Sequence, residues 1–101
     1  DLNLAVAERG AWVEYDNIGW VDDGDLLPLV LKMLAAGRGN QLLLSHDMGW
    51  YDPAQPGGGP PRPYTHLSES FLPRLRAAGV DEAAIVQLTH RNPFEAFARP
   101  L

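Results

Sequence analysis

Residues 41–45, QLLLS, form an apolar run without the polar alternation of a half-exposed strand, and the run ends on two ionisable side chains, His46 and Asp47. A strand apolar on both faces belongs in a parallel sheet covered by helices on each side. Upstream, residues 11–16, AWVEYD, are a second strand-length run of β-branched and aromatic residues. Between the two, from Asp25 onward, Leu26, Leu29, Val30, Met33 and Leu34 recur at three-and-four spacing, with Pro28 in the first turn and Gly37 as the stop. That spacing predicts one amphipathic helix. Strand, helix, strand is the order of a right-handed βαβ unit with a parallel pair. Two strands cannot cover their own faces, so the expected fold class is α/β, with this unit part of a larger sheet or barrel.

The flanking segments read as helices and one long loop. Leu2, Ala5, Val6 and Arg9 recur at helical spacing before Gly10, a helix already under way at residue 1, which predicts that further chain precedes it. Residues 46–64 contain PAQPGGGPPRP, too rich in Pro and Gly for regular structure; a connection of this length is a binding loop, a lid or a linker. Thr65 is placed to cap a helix carrying Leu67, Phe71, Leu75 and Ala78 on one stripe, with Pro73 predicting a break near Ser70. Asp81 is placed to cap the next helix, and Asn92-Pro93 to open a last short one with Asn as cap and Pro just inside.

Composition narrows the function classes. A chain of 101 residues holds one domain or less, and residues 1–101 read as part of a single domain. Thirteen acidic against 8 basic residues give a net charge of −5 with no basic cluster, which argues against nucleic acid and anionic lipid as partners. No apolar run approaches the roughly 20 residues of a membrane span. With no cysteine, any metal must be held by His, Asp or Glu, and a reducing compartment such as the cytoplasm fits.

The chemistry concentrates at the ends of the two strands. Side chains alternate along a strand, so Gln41, Leu43, Ser45 and Asp47 share one face, and Leu42, Leu44 and His46 the other. On the first strand Trp12, Glu14 and Asp16 share a face. Asp16 and Asp47 therefore fall at the C-terminal ends of adjacent parallel strands, about 5–10 Å apart by strand spacing, where α/β folds place ligands. Such a pair binds a cation or couples protonically; the same acids would equally serve as caps of the turns that follow. His46, of the leucines' parity, reads as a residue supporting the site or anchoring the loop, and His66 and His90 as surface or packing residues. Trp20, Trp50 and Tyr51 would crowd the same rim, either walling a substrate pocket or packing the loop. The glycines at 57–59 are not followed by the Lys-bearing helix start of a phosphate loop.

The ordered blocks GAWVEYDNIG, LLLSHDMGWYDP, PYTHLSESFLPRLRAAGV and NPFEAFA resemble the C-terminal quarter to third of phosphotriesterase-like hydrolases of the amidohydrolase superfamily. The resemblance covers nearly the whole chain. It implies a metal-dependent (β/α)8 barrel in which this chain supplies the seventh and eighth strand–helix units. It further implies a divalent metal, zinc by preference, in a binuclear centre, and hydrolysis of a small-molecule ester, lactone, amide or phosphotriester. On that reading Asp47 looks like the eighth-strand aspartate that ligates metal and takes up the proton released on attack. Asp16 looks like the seventh-strand aspartate of relatives, Asn17 falls where the pocket-lining residue stands, and residues 48–63 resemble the variable loop that shapes substrate choice. Glu14 adds a negative charge toward the barrel lumen where a small residue would pack more easily. The remaining metal ligands would lie on the preceding strands, upstream of residue 1, so the 101 residues alone are expected to be inactive without the remainder of the barrel chain. The competing expectation is a non-catalytic α/β module that binds a ligand or self-associates, as a homodimer for example, to cover its sheet edges.

Overall fold

The computed structural model describes residues 1–100. Helix α1 (Leu2–Glu8) leads to strand β1 (Val13–Tyr15), helix α2 (Asp23–Ala35), strand β2 (Leu42–Leu44), a long loop, and helices α3 (Leu72–Ala77), α4 (Glu82–Val86) and α5 (Asn92–Phe97). The strands pair in parallel, Val13 with Leu42, Glu14 with Leu43 and Tyr15 with Leu44, across the intervening α2. The expected βαβ order is therefore present, in strands shorter than the runs that predicted them.

Hydrogen bonds extend the pairing beyond the strand ends. The Ser45 N–H donates to Tyr15 O at 3.1 Å and the Ser45 carbonyl accepts from Ile18 N–H at 3.1 Å. Ser45 thus turns both backbone groups toward β1, and Leu42 and Leu44, of opposite parity, turn theirs to the open edge. There Asn92, fully buried, donates through Nδ2 to Leu42 O and to Gly39 O, each at 2.7 Å, and accepts from Gln87 Nε2. Asn92 is not the helix cap expected from Asn-Pro. The chain runs helically through it from α4 by way of a wide turn, Gln87–Arg91, and its side chain is spent on the strand edge. Gln41 is likewise displaced from the strand's polar face: it lies in the turn Gly39–Gln41, and its Nε2 donates to Ala7 O at 2.7 Å and Ala11 O at 2.9 Å, tying α1 to the sheet.

Helix α2 starts two residues earlier than its apolar spacing suggested. The Asp22 carboxylate accepts from Gly24 N–H at 2.7 Å, and Asp22 O from Leu26 N–H at 3.3 Å, so the first turn forms before Asp25. Pro28 consequently sits inside the helix, and the carbonyl it leaves without a donor, that of Gly24, is in an exposed turn where water can serve it. Leu26, Val30 and Met33 are buried as expected, whereas Leu29 is exposed.

After the loop, Thr65 does not cap through its side chain. Its carbonyl accepts from Glu69 N–H at 2.9 Å, and a wide turn, Leu67–Phe71, precedes α3. The Leu72 N–H reaches back five residues to Leu67 O, which accommodates Pro73 close to the break its ring predicts. Asp81 caps α4 as expected, accepting from Ala84 N–H at 2.9 Å. The core joins Val13, Tyr15 and Leu42 of the sheet to Val30 and Met33 of α2 and to Phe71, Leu75, Ile85 and Leu88. On α1 the burial falls on Ala7; Leu2 is 79% exposed, so the N-terminal apolar stripe faces outward. No helix among the described residues is long and apolar enough to cross a membrane.

Candidate functional site

Each strand is followed, two or three residues on, by a residue in the left-handed backbone region: Asn17 with φ 60° and Asp47 with φ 53°. Such φ values disfavour most side chains but are tolerated by Asn and Asp, whose short polar groups bond locally. The strand ends at Leu44, and Asp47, in the left-handed region, lies beyond the extended backbone on which strand alternation rests. Asp47 is exposed, its N–H donates to Ser45 Oγ at 3.3 Å, and its carboxylate has no hydrogen-bond donor among the described residues. Asp16, also exposed, accepts from Asn17 Nδ2 at 3.1 Å. Glu14 is exposed on the face opposite the buried Val13 and Tyr15, level with Leu43.

The backbone of Asp47 organises the aromatic rim. Its carbonyl accepts from the indole Nε1–H of Trp20 at 3.2 Å and of Trp50 at 2.8 Å, and the two rings meet edge to face with centroids 6.3 Å apart. The Arg62 guanidinium lies over the Trp20 ring, 3.2 Å from its centroid. Tyr51 is not part of this pair: its ring packs on Gly58, where no Cβ could fit, and the residue is 71% exposed.

His46 anchors the far end of the loop. Its Nε2 accepts from Leu67 N–H at 2.8 Å, which requires a neutral ring with its proton on Nδ1. Burial, with a smaller contribution from the charge of His66, lowers its pKa below the usual 6.5, so the neutral form is favoured. His66 is more than a surface residue: its Nε2 lies 2.9 Å from Asp23 Oδ1. Asp23 is almost fully buried, and its other oxygen accepts from Ser70 Oγ at 2.8 Å and lies 3.6 Å from Arg74 Nε. Burial opposes its ionisation, but the hydrogen bonds from His66 and Ser70 and the charges of His66 and Arg74 outweigh it and hold its pKa below the usual 3.8. The sequence reading passed over Asp23 because DDGD offers three acids that could each cap a helix. The signal lay on the other segment, where His66, Ser70 and Arg74 follow one another at four-residue spacing on one face. Arg62, enclosed by prolines, was missed as well.

Among the described residues no three His, Asp or Glu side chains converge as a metal site. A protein-held catalytic metal usually has three or more protein ligands, so these residues alone do not build one. What they offer is one carboxylate, that of Asp47, free of other bonds at the mouth of the strand pair.

A parallel strand pair with an unengaged acid and an aromatic rim at its C-terminal end is an α/β arrangement, and α/β folds place their ligands at that end of the strands. The chain belongs to the phosphotriesterase family, whose model matches residues 2–97. It is 28% identical over 103 residues to the phosphotriesterase-related protein of Drosophila persimilis, an alignment covering 89% of this chain and 29% of that protein. The counterpart in Drosophila ananassae is 28% identical over 106 residues, with 92% and 30% covered. Among solved structures, the phosphotriesterase homology protein from Escherichia coli, complexed with phosphate in its active site, superposes with a TM-score of 0.75 at 26% identity, over 91% of this chain and 32% of that one. A resiniferatoxin-binding protein from Rhodobacter sphaeroides gives 0.73 at 32% identity, over 88% and 27%. A mutant of the organophosphorus hydrolase from Deinococcus radiodurans gives 0.71 at 31%, over 85% and 30%. This chain thus spans under a third of the length of these relatives.

Proposed function

We propose that this chain is the part of a metal-dependent phosphotriesterase-type hydrolase that supplies the seventh and eighth strand–helix units of its (β/α)8 barrel. The single observation that carries the reading is the exposed, unengaged Asp47 carboxylate at the C-terminal end of a parallel strand pair, in a chain matched by the family model over residues 2–97. Asp47 would contribute one ligand to a divalent metal, zinc by preference in a binuclear centre, with the other donors from the remainder of the barrel. When bound, such a metal supplies Lewis acidity that makes water a competent nucleophile near neutral pH. The residues of this chain then divide the remaining work. The Asp47 carboxylate would accept the proton lost on attack; Trp20 and Trp50 hold its backbone and line a cavity of their own; Asp16 and Asn17 would present polar groups to the substrate from the segment that follows β1. His46 fixes the loop that frames the site, Glu14 lines the lumen, and Tyr51 shapes the outer loop. The substrate is a small ester, lactone, amide or phosphotriester. The exposed Leu2, Phe94 and Phe97 would pack on the remainder of the barrel or on a second copy in a homodimer, and the lack of cysteine suits the cytoplasm.

The test is Asp47→Ala in the intact polypeptide, assayed for hydrolysis and for bound metal. Loss of turnover by more than about a hundredfold with the fold retained is expected. Near-wild-type kcat would remove Asp47 from the reaction and, with it, the reading.

A further inference from the structure

The two tryptophans bonded to the Asp47 carbonyl also line a cavity of about 180 Å³, whose other walls are Gln55, residues 58–60, Asp52 and Arg62. An apolar cavity of roughly 150 Å³ accepts a ring the size of benzene, so the space suits one small planar group. Its two charged borders differ in their engagement. Asp52 is turned into its own loop: Oδ1 accepts from Ala54 N–H at 2.9 Å and Oδ2 from Gln55 Nε2 at 3.0 Å. Arg62 has no hydrogen bond and no ion pair among the described residues; only the face of its guanidinium is used, against Trp20. Stacking on an indole leaves the in-plane N–H donors of a guanidinium directed outward, in the fork that matches a carboxylate. Trp20 is itself held by the Asp47 carbonyl, so the fork has a fixed position relative to the reacting end of the site.

We propose that Arg62, stacked on Trp20 at the mouth of this cavity, selects ligands that carry a carboxylate on a small planar group. The proposal deepens the hydrolase reading by naming a substrate class for the same site. Recognition would be bidentate, with the planar group in the space that the indoles border and the carboxylate against Arg62. Asp52 opposes binding weakly through its like charge, which makes the sign of two substitutions opposite.

The experiment titrates benzoate, and separately its neutral isostere benzamide, into the full chain while following tryptophan fluorescence. Benzoate is expected to bind about tenfold more tightly than benzamide, as a charge-assisted pair allows. Arg62→Gln should abolish that preference, and Asp52→Asn should increase it. Equal binding of the two ligands to the wild-type chain, or an unchanged preference in Arg62→Gln, overturns the proposal. Because binding needs no turnover, an absence of hydrolysis by the intact polypeptide alongside an intact benzoate preference would sink only the hydrolase reading. Hydrolysis without the preference would sink only this one.

Discussion

Asp23 and His66, 43 residues apart in the chain, stand 2.9 Å apart and join the first residue of α2 to the start of the wide turn that precedes α3. An ionised carboxylate only accepts, so His66 Nε2 must carry the proton in this contact. Together with the bond from Leu67 N–H to His46 Nε2, the pair pins the returning end of the loop beside the strand ends that carry Asp16 and Asp47. The rim is thus held by polar bonds at its base while its outer residues stay exposed.

Replacing Asp23 by Ala should destabilise the chain by about 1–3 kcal/mol, the range for removing the acceptor from a buried polar cluster. His66 and Arg74 are exposed enough to regain water, which keeps the loss at the lower end of that range. Urea denaturation measures it; a change below a few tenths of a kcal/mol would mean the cluster does not hold the loop.

Acid should weaken the fold in two stages. His46 has a folded pKa below 6.5, so as pH falls through 6.5 the unfolded chain takes up a proton that the folded one refuses. Stability therefore declines between 6.5 and the depressed folded value, and is flat in this term above 6.5. Asp23 has a folded pKa below 3.8, so its contribution is complete above 3.8 and is lost as pH falls through the folded value. His46→Gln, which keeps an acceptor for Leu67 N–H, should remove the first stage and leave the second, as melting temperature against pH will report.

Asn92→Leu should cost more than a surface substitution, on the order of 2–4 kcal/mol, because it strands the buried Leu42 carbonyl at the open edge of β2. Hydrogen exchange at residues 42–45 would speed up with it. Protection unchanged there would show that Asn92 does not secure the strand.

Trp50→Phe keeps an aromatic ring but removes the 2.8 Å indole bond to the Asp47 carbonyl. In the active polypeptide it should lower kcat by roughly three- to tenfold, as expected when a positioning hydrogen bond near 1 kcal/mol is lost. An effect confined to KM would make Trp50 a binding wall only.

Residue order alone carried the parallel βαβ unit, the helix of Leu26, Val30 and Met33, the Asp81 cap and the resemblance to phosphotriesterase-like hydrolases, because each rests on local spacing or on an ordered set of blocks. The side-chain assignments beyond the strands were not legible in that way. Alternation predicts direction only while the backbone stays extended, and it ends at Leu44, three residues short of Asp47. Asn92 and Gln41 read as a cap and a strand residue because their partners, the carbonyls of Leu42, Gly39, Ala7 and Ala11, become neighbours only after the chain folds back. Asp23 is the plainest case. Three nearby acids are alike in sequence, and burial against a helix more than forty residues on distinguishes the one that binds His66, Ser70 and Arg74. Local propensity and periodicity decide which elements exist; which polar groups meet depends on long-range contacts whose partners no local pattern names.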